Sequence, residues 1–318
     1  ETVPPSQPTQ STTSPQSHSD TWHGGYPGVS ESTTTHPGVP PGQNGSTSGT
    51  SRIDVYDEFD NPTWAKDERG YITRQVYDAT EGVIAQRIQD VDTTQTSDEP
   101  SGWSTPSGGG LHLVSDYEYD DEGRLTQTLG PAHEADVAGT ATTLRTATWT
   151  VYKETAKPAS GTWYANQTWT AQGYATGTSP NYTYALVDPV TDTRTDKAGR
   201  TVNLIVAKRS TGSGKLSSSD TFAQSDWKRW TGLGYNDKGQ KTYVRVYHTI
   251  PSSGSGSSGT NYDQTDYAYD TMGRLNRTKS PGGTIARTLY DVRGKVLSSW
   301  VGTDDTGATE SDPDGSGA

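Results

Sequence analysis

Six short stretches of this chain reverse direction by one device, and that repetition limits the possible folds more than any other feature. Asp-x-x-Gly occurs at Asp67–Gly70, Asp120–Gly123, Asp196–Gly199, Asp270–Gly273 and Asp291–Gly294; Asp237-Lys238-Gly239 is a shortened relative in which Asn236 can stand for the Asp. A basic residue follows the Gly at Arg124, Arg200, Arg274 and Lys295, and Tyr precedes the Asp at Tyr119, Tyr269 and Tyr290. An Asp carboxylate accepts a hydrogen bond from the backbone N–H two residues on, which starts a turn. A Gly three residues later takes the left-handed backbone conformation that other residues resist. The pair predicts a hairpin loop of three to four residues that ends in a bulge.

Spacing turns the device into a repeat. Tyr56 to Tyr77 is 21 residues, and so is Tyr269 to Tyr290. That length holds two strands of about seven residues and their turns. Hairpins stacked side by side would place equivalent Tyr residues in a row across neighbours. Between the turns the chain alternates: Tyr71, Thr73, Gln75 and Tyr77 fall on one face, Ile72, Arg74 and Val76 on the other. Residues 243–250 split the same way, and in 201–208 Val202, Leu204 and Val206 fall together. This is strand periodicity, and no segment carries a helical stripe.

Composition agrees. Only 28% of residues are apolar, yet there are 18 Tyr and 9 Trp, residues that favour pleated, half-buried surfaces. The expectation is an all-β chain with a thin, two-sided polar sheet and little solid core. Residues 1–50 are rich in Ser, Thr, Pro and Gly and read as a disordered linker; residues 303–318 read as an acidic flexible tail. The organised region is 51–302, interrupted near 139–186, where Trp149, Trp163 and Trp169 fall, and near 207–228; 251–262 is a second Ser/Gly-rich loop.

The formal charge is −12, with all 26 basic residues between the two ends. That middle is nearly balanced, and no basic stripe points to nucleic acid. No apolar stretch is long enough to span a membrane. There is no cysteine, hence no disulfide framework or thiolate metal site.

The motif resembles the YD repeat of the Rhs family, also found in the extracellular barrel of teneurins. YAYDTMGRL (267–275) and YEYDDEGRL (117–125) match the family pattern throughout, and LYDVRGKV (289–296) matches with Lys for Arg. VYDEFDNP (55–62), with Tyr56 and Asp57, is degenerate, as is VYDATEGV (76–83), where Tyr77 and Asp78 lie one residue further from Gly82. The resemblance implies successive antiparallel hairpins in a coiled or curved β-strip, an open segment of a hollow shell. Strands rising about 3.3 Å per residue and spaced about 4.8 Å give ~250 residues at most ~4,000 Å² of sheet. A shell around a ~130-residue payload needs roughly 6,600 Å², so this chain could supply only part of one.

Chemistry is sparse. Asp312-Pro313-Asp314-Gly315 resembles the site where Rhs shells cleave themselves, but Ser316 stands where the family has Leu. The acids near the C-terminus lack the register of a calcium loop. The six His lack zinc spacing. No nucleophile elbow, phosphate loop or dinucleotide fingerprint occurs. The expectation is therefore a non-enzyme without cofactor or metal. It would be wall material of a secreted or surface-exposed protein, whose partners are the rest of a longer YD-repeat polypeptide and an encapsulated toxin domain. The alternative is a surface adhesin that stacks glycan rings on Trp163, Tyr164, Trp169 and Tyr174, residues that could equally be cross-strand pairs.

Overall fold

The computed structural model describes residues 16–25, 27–38, 49–154 and 166–309. Strands dominate, as the alternation predicts, and two single-turn 3₁₀ segments, Thr93–Gln95 and Gln224–Asp226, are the helical elements among the described residues. The chain divides into two compact units, 1–145 and 146–318.

The first unit holds β1 (Ser17–Trp22), β2 (Val29–Thr35), β3 (Ser51–Tyr56), β4 (Pro62–Lys66), β5 (Ile72–Tyr77), β6 (Ile84–Gln89), β7 (Leu113–Tyr119) and β8 (Leu125–Val137). From β1 to β8 each strand pairs antiparallel with its sequence neighbours. The unit boundary falls inside β9 (Thr140–Glu154). The second unit continues with β10 (Asn166–Thr178), β11 (Asn181–Thr195), β12 (Thr201–Ala207), β13 (Trp227–Tyr235), β14 (Lys241–Tyr247), β15 (Tyr262–Tyr269), β16 (Leu275–Lys279), β17 (Ile285–Tyr290) and β18 (Val296–Gly302). From β10 to β18 the pairing is again antiparallel and sequential. The all-β class and the succession of hairpins are thus present in the structure.

Three readings change. Ordered structure begins before residue 51: β1 and β2 form a hairpin, and β2 pairs with β3 from Glu31↔Val55 to Thr35↔Ser51. Ser and Thr read as linker because they offer no apolar face, but a backbone ladder needs none, and the β-branched Thr33–Thr35 suit a strand. The acidic tail is also anchored at its start, since Asp305 accepts from Arg277 Nη2 at 3.1 Å and from Arg287 Nη1 at 2.9 Å. The region near 139–186, expected to interrupt the repeats, continues the sheet with long strands, β9 and β11 being 15 residues each and β10 pairing with β11 as a hairpin. The self-cleavage candidate at 312–315 lies outside the described residues.

The sheets are not polar on both faces. In the first unit Trp64, Ile72, Ile88 and Val91 bury together, and Trp103, from the long β6–β7 connection, packs on them. Its ring meets Trp64 edge-on at 6.4 Å. In the second, Ile205, Trp230, Tyr247 and Tyr262 form the cluster, with Tyr247 stacked flat on Trp230 at 3.7 Å. Such ring pairs add about 0.5–1.5 kcal/mol beyond the area they bury. The β12–β13 loop supplies Phe222, which meets Trp169 edge-on, and is pinned by an Arg209–Asp220 ion pair. Loops therefore shield one face of strands too polar to build a deep core. On β12, Asn203, Ile205 and Ala207 are the shielded set, while Leu204 stays 42% exposed.

Candidate functional site: a column of linked turns

Each motif turn closes by the same bonds. In the Asp270 turn the Gly273 N–H donates to the Asp270 carbonyl at 2.9 Å, and the Asp270 N–H to the Arg274 carbonyl at 2.9 Å. The Asp270 carboxylate accepts the Arg274 N–H at 2.8 Å and its Nε at 2.6 Å. Gly273 sits at φ 84°, where a side chain would be strained. Asp120–Arg124 and Asp196–Arg200 repeat the pattern with Nε bonds of 2.8 and 2.7 Å. The turns at Asp67–Gly70 and Asp291–Gly294 share the backbone frame, with Lys295 N–H donating to Asp291. A register shift sits at the residue before the turn, as at Tyr119 and Tyr269, which is the expected bulge.

Burial pushes the carboxyls of Asp120, Asp196 and Asp270 upward, but the N–H and guanidinium donors outweigh it, and all three end below the usual carboxylate range. Asp57 ends low for a similar reason, with Asn61 as the main donor against burial. Asp78 is lowered chiefly by the N–H groups of Thr80 and Glu81.

The motif does more than make turns, because its side chains join one hairpin to the next. Arg200 Nη1 donates to the Asn236 carbonyl at 3.1 Å, Gln240 Nε2 to the Gly273 carbonyl at 2.8 Å, and Arg274 Nη1 to the Asp291 carbonyl at 2.6 Å. Four consecutive turns at one end of the β11–β18 strands are so linked. The guanidiniums of Arg200 and Arg274 also lie over the rings of Tyr235 and Tyr290, 4.9 and 4.8 Å from their centroids.

The motif tyrosines form a second set of links. Tyr77 donates its hydroxyl to the Pro62 carbonyl at 3.2 Å, Tyr119 to Ile84 at 3.0 Å, Tyr269 to Lys241 at 3.0 Å and Tyr290 to Leu275 at 3.0 Å. Each acceptor is the first residue of the preceding outgoing strand. The expected row of Tyr residues is therefore coupled through the strand between them, hydroxyl to carbonyl, rather than ring to ring.

Sequence reasoning gave Asn236 the place of the motif Asp but missed its partner Gln240, and it missed Asp60 and His23. Asn236 and Gln240 form a neutral copy of the Asp–Arg pair, with Asn236 Nδ2 donating to Gln240 Oε1 at 2.8 Å. Asp60 fills the glycine place of the first turn at φ 64°. His23, in the β1–β2 turn, donates through Nε2 to the Asp57 carbonyl at 2.9 Å, doing for its hairpin what Arg200 and Arg274 do for theirs. Tyr-Asn-x-x-Gly-Gln at 235–240 was a legible signal for the first; His23 carries none. Asp67–Gly70 joins β4 to β5, at the end of the first unit's strands opposite the Asp57, Asp78 and Asp120 turns, and sequence does not distinguish it.

Of the residues considered for glycan stacking, Trp163 and Tyr164 lie outside the described residues. Trp169 is 4% exposed, covered by Phe222, with the Lys153 ammonium 3.8 Å from its ring centroid. Tyr174 is half-buried on β10. A cleft of about 630 Å³ opens where β10 and β11 slip register, lined in part by Trp149, Gln172, Asp188 and Pro189. Among the described residues no three His, Asp or Glu side chains gather as a metal site, and no helix is long and apolar enough to cross a membrane.

No family model matches the chain, and no curated protein does. Among solved structures it is similar over 85% of its length to TcdB2-TccC3-TEV, at 16% identity and a TM-score of 0.24, spanning 16% of that chain. It is similar over 88% of its length to a Photorhabdus luminescens Tc holotoxin pore, at 8% identity and a TM-score of 0.18, spanning 20% of that chain. Scores this low do not establish a common overall arrangement.

Proposed function

We propose that this chain is architectural: a segment of β-wall from a secreted or surface-exposed Rhs-like polypeptide, without catalysis of its own. The observation that carries the reading is the column of linked turns. The most specific side chains in the sequence are consumed internally: the motif Asp carboxylates in closing their own turns, the Arg and Tyr residues in joining hairpin to hairpin. A catalytic or binding site would aim such groups outward. In this reading the wall extends through further repeats and surrounds a polypeptide cargo.

The adhesin reading has lost Trp169 as a stacking platform, since Phe222 covers it. A glycan array and a hydrolase substrate panel on the intact chain test the choice. Architecture expects no specific signal in either. A micromolar glycan hit abolished by Gln172→Ala, on the exposed lining of the β10–β11 cleft, with the fold intact, would replace the wall by an adhesin.

A further inference from the structure

Where an arginine links two turns, its guanidinium makes two fixed contacts in the second. It donates to the carbonyl that opens that turn, and it lies over the ring of the tyrosine just before. Arg200 does this with Asn236 and Tyr235, and Arg274 with Asp291 and Tyr290. In the first unit the Asp57 and Asp78 turns stand in the same relation, at one end of β3–β6. The linking position there is Asn61, directly after Asp60 in the glycine place. Asn61 is too short to reach the next turn, and its Nδ2 donates back to Asp57 Oδ2 at 3.1 Å.

The contacts a guanidinium would make are nevertheless present. The Asp57, Asn236 and Asp291 carbonyls each take two donors, one N–H from their own turn and one side chain, from His23, Arg200 and Arg274. The Asp78 carbonyl accepts the Gly82 N–H at 2.9 Å and has no second donor among the described residues. Nor does a cation lie over the Tyr77 ring; Arg74, on the same strand, lies over Trp64 and pairs with Asp98. Between the two turns opens a cleft of about 630 Å³, lined in part by Phe59, Asn61, Tyr77 and Asp78. Its lining carries the carboxylates of Asp57, Asp78, Glu81 and Asp98 against the single guanidinium of Arg74. Phe59, 75% exposed, offers an apolar wall.

We propose that this cleft binds the guanidinium of an arginine side chain presented by another polypeptide segment. The planar group donates to the Asp78 carbonyl and stacks on the Tyr77 ring, as Arg274 does with Asp291 and Tyr290. The excess of carboxylates draws the cation in, and Phe59 packs along its methylene stem. Every arginine of this sequence lies among the described residues, and none makes these two contacts, so the group comes from a segment outside it. The site goes beyond the wall reading. It rests on the geometry of two turns and needs neither a cargo nor a surrounding shell, so the two fail separately.

The test titrates N-acetyl-arginine amide into the full chain and follows the backbone amide chemical shifts. The neutral isostere N-acetyl-citrulline amide and the ammonium N-acetyl-lysine amide serve as controls. The arginine probe should shift residues 57–61 and 77–83 and saturate at millimolar concentration, as befits one hydrogen-bonded, stacked cation. Citrulline should give no saturable shift. Lysine should bind several-fold more weakly, because an ammonium cannot lie flat on a ring while it donates. Asn61→Arg supplies the guanidinium from within and should abolish binding. Glu81→Lys, at an exposed residue of the lining, should weaken it several-fold. Both variants should keep the far-ultraviolet dichroism of the parent. The proposal is overturned if no saturable shift appears at those residues, if citrulline or lysine binds as tightly as arginine, or if the folded Asn61→Arg or Glu81→Lys variant binds as the parent does.

Discussion

Replacing Asp270 by Asn probes how the linked turns hold together. Asn keeps an oxygen that can accept the Arg274 N–H, but turns an N–H₂ group toward the Arg274 Nε that now donates to the carboxylate at 2.6 Å. The loss is one charge-assisted hydrogen bond in a pair whose Asp side chain is 8% exposed, a contribution of about 1.5–3 kcal/mol. Taking about 2 kcal/mol for a unit spanning 146–318, at ~2–4 °C per kcal/mol for this size, that unit's thermal midpoint should fall by roughly 4–8 °C. Arg274→Gln alone should also destabilise, because an amide that keeps its N–H₂ on the Asp291 carbonyl turns its oxygen toward the carboxylate, and one that turns its N–H₂ to the carboxylate gives up that link. The double variant Asp270→Asn/Arg274→Gln should recover much of the loss. It recreates the Asn236–Gln240 pair, in which Gln240 also keeps its link to the next turn, at 2.8 Å to the Gly273 carbonyl. A thermodynamic cycle from denaturant unfolding, with amide exchange at 270–274 as the local probe, should show coupling of about 1 kcal/mol or more. If the two single losses simply add, the turns are not interchangeable cassettes and the reasoning fails.

Three further outcomes are expected. Tyr269→Phe removes the hydroxyl that reaches the Lys241 carbonyl and should cost about 0.5–1.5 kcal/mol; Tyr71→Phe, whose hydroxyl has no partner among the described residues, should change stability by less than about 0.5 kcal/mol. Arg277, against burial and with help from Arg287, holds the Asp305 carboxyl down to about 2. Since the unfolded value is about 3.9, its stabilisation is complete above that pH and lost as pH falls toward 2; protection of residues 303–309 followed by hydrogen exchange should track this loss, and Asp305→Asn should abolish the dependence. Burial beside Trp230 pushes the Tyr247 phenol up to about 12. Its contribution is therefore full below about pH 10 and lost as pH rises through 12, and the phenolate absorbance of Tyr247→Phe should lack that last step.

What the sequence determined by itself was local. The Asp-to-Gly reversals, the bulge before each and the alternation between them depend on bonds within five residues, so they could be read from the residues alone. Trp149 and Trp169 were visible as types but not as buried groups, because what covers Trp169 is Phe222, from a loop 53 residues further along the chain. The β1–β2 hairpin was hidden by its composition: its strength is a backbone ladder to β3, and ladders leave no mark in side-chain identity. Only the tertiary structure decided that Arg274, Gln240, Tyr269 and His23 point to a neighbouring hairpin's carbonyl. A carbonyl acceptor is the same in every residue, so no pattern in the sequence could name it; the pairing register, set by the whole sheet, brings it within reach.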